Sequence, residues 1–522
     1  MRNPRFVNTG QYLSSLGCNM QLSVKNEHLE KAAKVAAWVA IAVGIILRFI
    51  MYYQDRNLII DEANIVRNLF ERGFVRLLAP LDYEQYAPPV FLWVEKLLSM
   101  TFGFSAKALK LFPMACGIGM LFLYYDILKR LINPNIVWLP LALLAFSPYF
   151  IEFSATIKQY ISDSLIVLLL LWVAIRTDIF EMQRRKFVLL WGMVGVLAIY
   201  SSMPSVFALA AVGFYYAWQV FRKKSWNYIP SLTGMAAIWL GAFAIYYFIF
   251  LKPQIESDYL QNYHADYFLF ALPKKPEEWQ HNWMRIREII NNACGYSSYN
   301  FWAACVLLPL GVFALMRKRL GILILILTPV LLTLFAAALN QFSLIQRVSL
   351  FLLPLVLLLF SLGLNELWNI RLIVVKLSLV ILGFMMIKTF NGFDIFTTRH
   401  GFHEITEGFD YLLSKKVEGR NLFVHNASKP TYLYYTAIDP KGREKYASLL
   451  GAHLMNWDSD FAVETKELQD TTYFIYTGGF PEPEKQKCIS QIETNMKQID
   501  YFEKYVCFVY GYVPKSPDTT QK

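Results

Sequence analysis

Charge is scarce in this chain. Asp, Glu, Lys and Arg make up 17% of its 522 residues, whereas 56% are hydrophobic. Soluble domains carry roughly a quarter charged residues, so an ordinary soluble globular protein is excluded. Acidic residues are the scarcer sign, and the net charge of +11 invites a nucleic-acid partner. The distribution argues otherwise, because Lys and Arg sit in short loops between apolar runs. Arg184-Arg185-Lys186, Arg222-Lys223-Lys224 and Arg317-Lys318-Arg319 are the clearest cases. Basic loops of that kind orient a polytopic membrane protein, with the triplets in the cytoplasm, and no nucleic-acid partner is expected.

Cysteine and histidine are also few. None of the six cysteines has CxxC or Cys/His metal spacing. Cys116 and Cys305 lie in apolar runs and read as packing residues. Cys488 and Cys507 share the polar C-terminal region, where export would permit a disulfide. His264 and His281 stand 17 residues apart with no third ligand, so no metal site is assigned to them. No cofactor is expected, and a divalent metal stays open as an assistant. No cleavable signal is expected: residues 1–30 are polar, and the first apolar run is long enough to span without removal.

Long apolar runs are what the chain has in abundance. A crossing needs roughly 20 such residues. By that rule about eleven spans are expected, near 32–52, 107–128, 135–151, 160–176, 187–202, 204–221, 228–251, 299–316, 320–338, 345–364 and 371–388. The fold class is therefore an α-helical polytopic membrane protein. Residues 1–31 form a cytoplasmic segment, 32–390 the transmembrane domain and 391–522 a soluble extracytoplasmic domain. That tail alternates strand-like pieces at 421–425, 473–476 and 505–513 with a helical piece at 483–499, a small α/β pattern.

Two outward loops are also long enough for chemistry. In 53–106 a helix is expected over 63–72, with Asp61 as N-cap and Gly73 as C-cap. A second begins at Pro88-Pro89 and runs through Phe91, Trp93 and Leu97. Both would rest their apolar faces in the headgroup layer. The other loop, 252–298, carries Trp279, His281 and Trp283 in an amphipathic stretch.

Asp61-Glu62 is the acidic pair that needs a reason. One reading makes Asp61 a cap and Glu62 a first-turn residue favoured by the helix dipole. The sharper one makes a carboxylate the general base that takes a proton from an acceptor hydroxyl during inverting sugar transfer. A phosphate leaving group then needs cations or hydrogen-bond donors. Lys158, before Tyr160 in an outward turn, and Arg347, at the outer start of a late span, are the candidates; snorkelling to lipid headgroups is the plainer account of each. Arg48, inside the first span, is a weaker one. Arg67 either holds a phosphate or pairs with Glu71. Tyr83 and Tyr86 fit an aromatic belt or a sugar site equally. Asn426-Ala427-Ser428 matches a glycosylation acceptor.

In combination these features resemble the bacterial membrane glycosyltransferases of the dolichyl-phosphate-mannose–protein mannosyltransferase-like group, family 39-type enzymes related to the lipid A aminoarabinose transferases. The resemblance rests on Asp-Glu opening a large outward loop, the Tyr-rich Pro-Pro stretch, the Ser-Pro turn with a basic residue before Tyr, and Arg347 upstream of Pro354. It implies the GT-C fold, a polyprenyl-phosphate-linked sugar donor, a periplasmic or lumenal site in the bacterial inner membrane, and a glycan, lipid or protein acceptor. The family's loop acid corresponds to Asp61, with Glu62 beside it, and its basic residues to Lys158 and Arg347. Aminoarabinose transferases carry a lysine where Gln85 and Tyr86 stand here. Tyr86 and Glu62 are expected to position substrate, with Tyr83, Tyr160 and Arg67 near it. A lipid-linked sugar flippase or transporter is the alternative from another class, but it should hide its polar groups mid-bilayer. An O-antigen polymerase or ligase should centre on a late outward loop instead.

Overall fold

The computed structural model describes residues 9–255, 257–389, 404–456, 459–478 and 482–515. Each expected span falls on a helix. Among the described residues, five helices are long and apolar enough to cross a membrane: Glu27–Tyr53, Ala106–Leu131, Trp226–Leu251, Ser298–Lys318 and Leu320–Ala338. The others are shorter, interrupted or less apolar. Expected span 135–151 is in fact two helices, Trp138–Phe146 and Pro148–Phe153. The chain turns extended at Ser147, since a residue before proline is pushed out of the helical region. The late span starts at Leu352 rather than 345, which leaves Arg347 in the turns ahead of it.

Small residues let these helices approach. A Cβ on Gly311 would collide with the carbonyl of Leu359, and one on Gly363 with that of Leu307. Helices Ser298–Lys318 and Leu352–Trp368 therefore meet backbone to backbone, as small residues allow where lipid removes the hydrophobic drive. One end of the bundle collects the basic triplets. There Asp126 pairs with Arg130 and Arg176, Lys318 with Glu366, and Arg319 reaches the carbonyl of Arg130. Arg184 lies over the Tyr228 ring and Lys223 over that of Phe180, a few residues past Arg176, which brings the other two triplets to the same end.

The opposite end carries the first loop and the tail. Pro88 and Pro89 start helix Pro89–Phe102 as expected, with Phe91 and Leu92 buried and Trp93 and Leu97 exposed. The preceding helix runs Ile60–Glu71, three residues earlier than expected. Its N-cap is Ile59, not Asp61, because the carboxylate of Glu62 takes the free Ile59 amide. Gly73 does not cap it either; Arg72 does, in extended conformation.

The tail folds as a mixed sheet. Its strands are β1 (Leu422–Val424), β2 (His453–Leu454), β3 (Thr472–Thr477), β4 (Met496–Lys504) and β5 (Cys507–Pro514). They stand in the order β2-β1-β3-β5-β4, with β1 parallel to β2 and β3, and β5 antiparallel to β3 and β4. Three strands fall where expected. The helix expected over 483–499 ends at Asn495 and the chain continues as β4, an exposed edge strand that lacks a buried run to announce it. Cys488 and Cys507 are free and buried in separate apolar clusters, so the disulfide that export would permit is not made. Ser428 of the Asn-Ala-Ser triplet is buried against Thr477. The cluster under the sheet is shared with the first loop: Leu58, Val66, Leu69 and Phe91 pack with Phe409, Val424, Tyr435 and Ile475.

Gly311→Leu and Gly363→Leu should each lower stability by about 2 kcal/mol or more through overpacking. Gly241→Leu, which has nothing within 4 Å, should not; thermal unfolding in detergent reads the difference.

Candidate active site

Glu62 builds the site before Asp61 can use it. Its side chain is fully buried, and its two oxygens accept from different segments: one from the Ile59 amide at 3.0 Å, the other from the Ile157 amide at 2.7 Å. Charge-assisted bonds of this kind are among the stronger ones available. The first joins the carboxylate to its own helix start. The second ties in the turn that carries Lys158. Arg56 fastens the same turn through Glu152 and Thr156. Asp61, one residue before Glu62, is thereby held near Lys158.

Asp61 keeps about a quarter of its side chain exposed. Arg347 approaches its carboxylate at 3.4 Å, and its guanidinium also donates to the Tyr263 hydroxyl at 2.9 Å. Lys158, almost wholly buried, donates to Gln85 Oε1 at 2.6 Å. Gln85 in turn lies within hydrogen-bonding reach of Asp61. It arrives there from a turn in which Tyr83 and Glu84 both take positive φ, 66° and 52°. Non-glycine residues adopt that conformation at a cost, and it is met more often near functional sites than elsewhere. Asp61, Lys158, Gln85, Arg347 and Tyr263 form one cluster, drawn from separate loops.

Electrostatics follow from this placement. Burial alone would raise the Asp61 carboxyl, but Lys158, Arg347 and the Gln85 hydrogen bond outweigh it and hold it below the ordinary value. Burial lowers the Lys158 ammonium to about 8, with Asp61 opposing and Arg347 assisting. Arg347 goes the other way: burial lowers it, yet Tyr160, Asp61 and Tyr263 together raise it, and it stays charged. His264, beside Tyr263, is lowered by burial and by Arg347.

The other expected residues separate into near and far. Tyr160 is buried one residue past Gln159 and within electrostatic range of Arg347 and Asp61. Tyr86, half-buried, bonds hydroxyl to hydroxyl with the fully buried Tyr246. Arg67 pairs with Glu71 and lies 3.7 Å from the Tyr83 ring centroid, while the Tyr83 hydroxyl donates to Glu71. This knot explains Arg67 and Tyr83 without a ligand. Arg48 bonds to the carbonyls of Gly44 and Ala145 inside the bundle and has no contact with Asp61. His281 bonds to the Phe268 carbonyl, and no group of three or more metal-type ligands converges among the described residues. Sequence reasoning missed Tyr263, the place of His264 beside it and the bridging role of Gln85. For the first two the only signal was a Tyr-His pair within a long outward loop.

Residues 86–247 match the sequence model of the dolichyl-phosphate-mannose-protein mannosyltransferase family. No curated protein matches the chain in sequence. Among solved structures it is similar to ArnT from Cupriavidus metallidurans in the apo state, with TM-score 0.54 and 12% identity over 92% of this chain and 98% of that one. It is also similar to the same protein bound to undecaprenyl phosphate, with TM-score 0.52 and 12% identity over 91% and 97%. The chain is thus an integral membrane protein that shares the GT-C fold of ArnT, and the likeness to the mannosyltransferase family model is confined to residues 86–247.

Glu62→Ala should cost about 2 kcal/mol or more, since it leaves two inward-facing amides unpaired, whereas Asp61→Asn should cost clearly less. Thermal unfolding of the two variants in the same detergent decides the order.

Proposed function

We propose that this protein is a glycosyltransferase that moves a sugar from a polyprenyl-phosphate donor to an acceptor outside the cytoplasm, with Asp61 as general base. The observation that carries it is the meeting of Asp61, Lys158 and Arg347 at the bundle end opposite the basic triplets. The fold shared with ArnT, one structure of which holds undecaprenyl phosphate, supports a donor of that class. Basic loops in the cytoplasm would turn the site and the tail toward the periplasm of a bacterial inner membrane.

The chemistry is a single displacement. The acceptor hydroxyl gives its proton to an Asp61 oxygen as its own oxygen bonds the anomeric carbon. The bond from that carbon to the donor phosphate breaks on the opposite face, which inverts the centre. The phosphate departs with the electron pair, and Lys158 and Arg347 balance its added charge. No general acid is required, because a phosphate leaves as a stable anion. Glu62 contributes by holding the two loops together rather than by taking a proton, and Tyr86 helps to position substrate.

An arriving phosphate competes with Asp61 for the same two cations. As it takes them, the carboxylate loses the charge that depresses its pKa and becomes the stronger base. The positive partners therefore serve first the acid and then the donor.

Asp61→Asn should reduce transfer from undecaprenyl-phosphate-linked sugars by about 10²- to 10⁴-fold, the usual contribution of a general base, while the purified protein still binds undecaprenyl phosphate. Full transfer in that variant would remove Asp61 as the base, whereas no transfer by the unaltered protein would favour a lipid-linked sugar transporter instead. The affinity for undecaprenyl phosphate should fall as pH rises through about 8, where the Lys158 ammonium loses its proton. Lys158→Arg should flatten that dependence, because a guanidinium stays charged. A pH series of binding isotherms on both proteins checks this.

A further inference from the structure

The tail is not merely appended to the first loop; it grips the few residues that enter the helix bearing Asp61. Asn57 and Leu58, four and three positions before it, are each bonded to the tail. The Asn57 amide donates to Glu404 Oε2 at 3.1 Å and to Thr406 Oγ1 at 2.9 Å, and the Thr406 hydroxyl returns a bond to Asn57 Oδ1. The Leu58 amide donates to the Tyr435 hydroxyl at 3.1 Å. Asn57, Leu58, Glu404 and Tyr435 are all buried. Lys110, also buried, donates to the carbonyl of Arg56 at 2.7 Å, so three successive residues are held by side chains from elsewhere.

The helix itself is then clamped. Tail helix Lys429–Leu433 and the turn Tyr434–Ile438 pack on Ile60–Glu71. Tyr434 fixes the far side of the loop through the carbonyl of Phe104. From Glu404 and Tyr435 the bonds run through 57 and 58 to the helix start, and through Glu62 to Ile157 beside Lys158. Extended backbone between two loops has little stiffness of its own, and these bonds supply it. Misplacement of a reacting group by about 1 Å costs on the order of 10²-fold in rate.

We infer that Glu404 and Tyr435 are positioning residues, through which the soluble tail sets the place of the Asp61 carboxylate relative to Lys158. This rests on the reading of Asp61 as the base. Neither residue touches the reacting atoms. Their effect should fall on turnover and leave donor binding alone.

The full-length protein tests it with Asn57→Asp, Tyr435→Phe and the pair Asn57→Asp with Glu404→Gln. Asn57→Asp sets two carboxylates against each other. In the pair, the amide introduced at position 404 donates to the carboxylate introduced at position 57, so the bond returns with its direction reversed. Transfer from an undecaprenyl-phosphate-linked sugar should fall about 10- to 100-fold in kcat for Asn57→Asp, with KM for the donor and binding of undecaprenyl phosphate within about threefold, a shift well under one tenfold step in affinity. Tyr435→Phe should show the same split more weakly, and the pair should recover most of the turnover. Unchanged kcat per folded molecule in Asn57→Asp and Tyr435→Phe would overturn the inference. So would a loss of donor binding in parallel with kcat, or no recovery in the pair. Asp61→Asn is the separate control: if it stays fully active, the underlying assignment of the base fails, whichever way the tail variants behave.

Discussion

The carboxylate of Glu62 is the constraint on which the candidate site depends. A buried acid is costly unless hydrogen bonds satisfy it, and here both oxygens are satisfied by amides of separate segments. The side chain therefore does two things at once. It starts the Ile60–Glu71 helix, and it pins the turn carrying Lys158 against that start. Without the brace, Asp61 and Lys158 would sit on independent loops at the edge of a bundle, each free to follow the solvent. Two neighbouring carboxylates thus differ by exposure: the buried one holds the frame, and the partly exposed one meets Arg347.

Around that frame charges of both signs meet. Asp61 meets Arg347 directly and Lys158 through Gln85. Asp61 feels both cations, and Glu62 adds a second acid on the Lys158 side, so two acids and two cations share a partly buried cluster. Coulombic attraction there is screened far less than at a surface.

The soluble tail adds stiffness where the bundle cannot. Transmembrane helices gain rigidity from backbone-close packing such as that at Gly311 and Gly363, but the loops beyond the membrane have no such support. The apolar cluster shared by Leu58, Val66 and Phe91 with Phe409, Val424 and Tyr435 fills that role. It merges two regions that are far apart in the chain into a single core. Chemistry at the rim of a membrane gains from this, because the reacting groups are then carried by a packed solid instead of by mobile loops.

Much of this was legible in the residues alone. Apolar runs located the helices, since a segment in lipid must satisfy its own backbone and shows a continuous signal. Basic triplets marked one end, and Asp61-Glu62, Lys158 and Arg347 stood out as polar groups at the other. Buried runs at 421–425, 473–476 and 505–513 announced three strands, whereas β4 is an exposed edge and β2 only two residues long, so neither left a pattern to read. Local pattern thus settled the class of fold, the polarity of the bundle and the acids and bases available. It took the packed molecule to show which acid braces and which stays partly exposed, that Arg67 pairs with Glu71 and lies on the Tyr83 ring, and that Tyr263 and Gln85 complete the cluster. The reason is physical: periodicity and composition report what each segment needs from its surroundings, but hydrogen-bond partners far apart in the chain are chosen by packing, which no local pattern encodes.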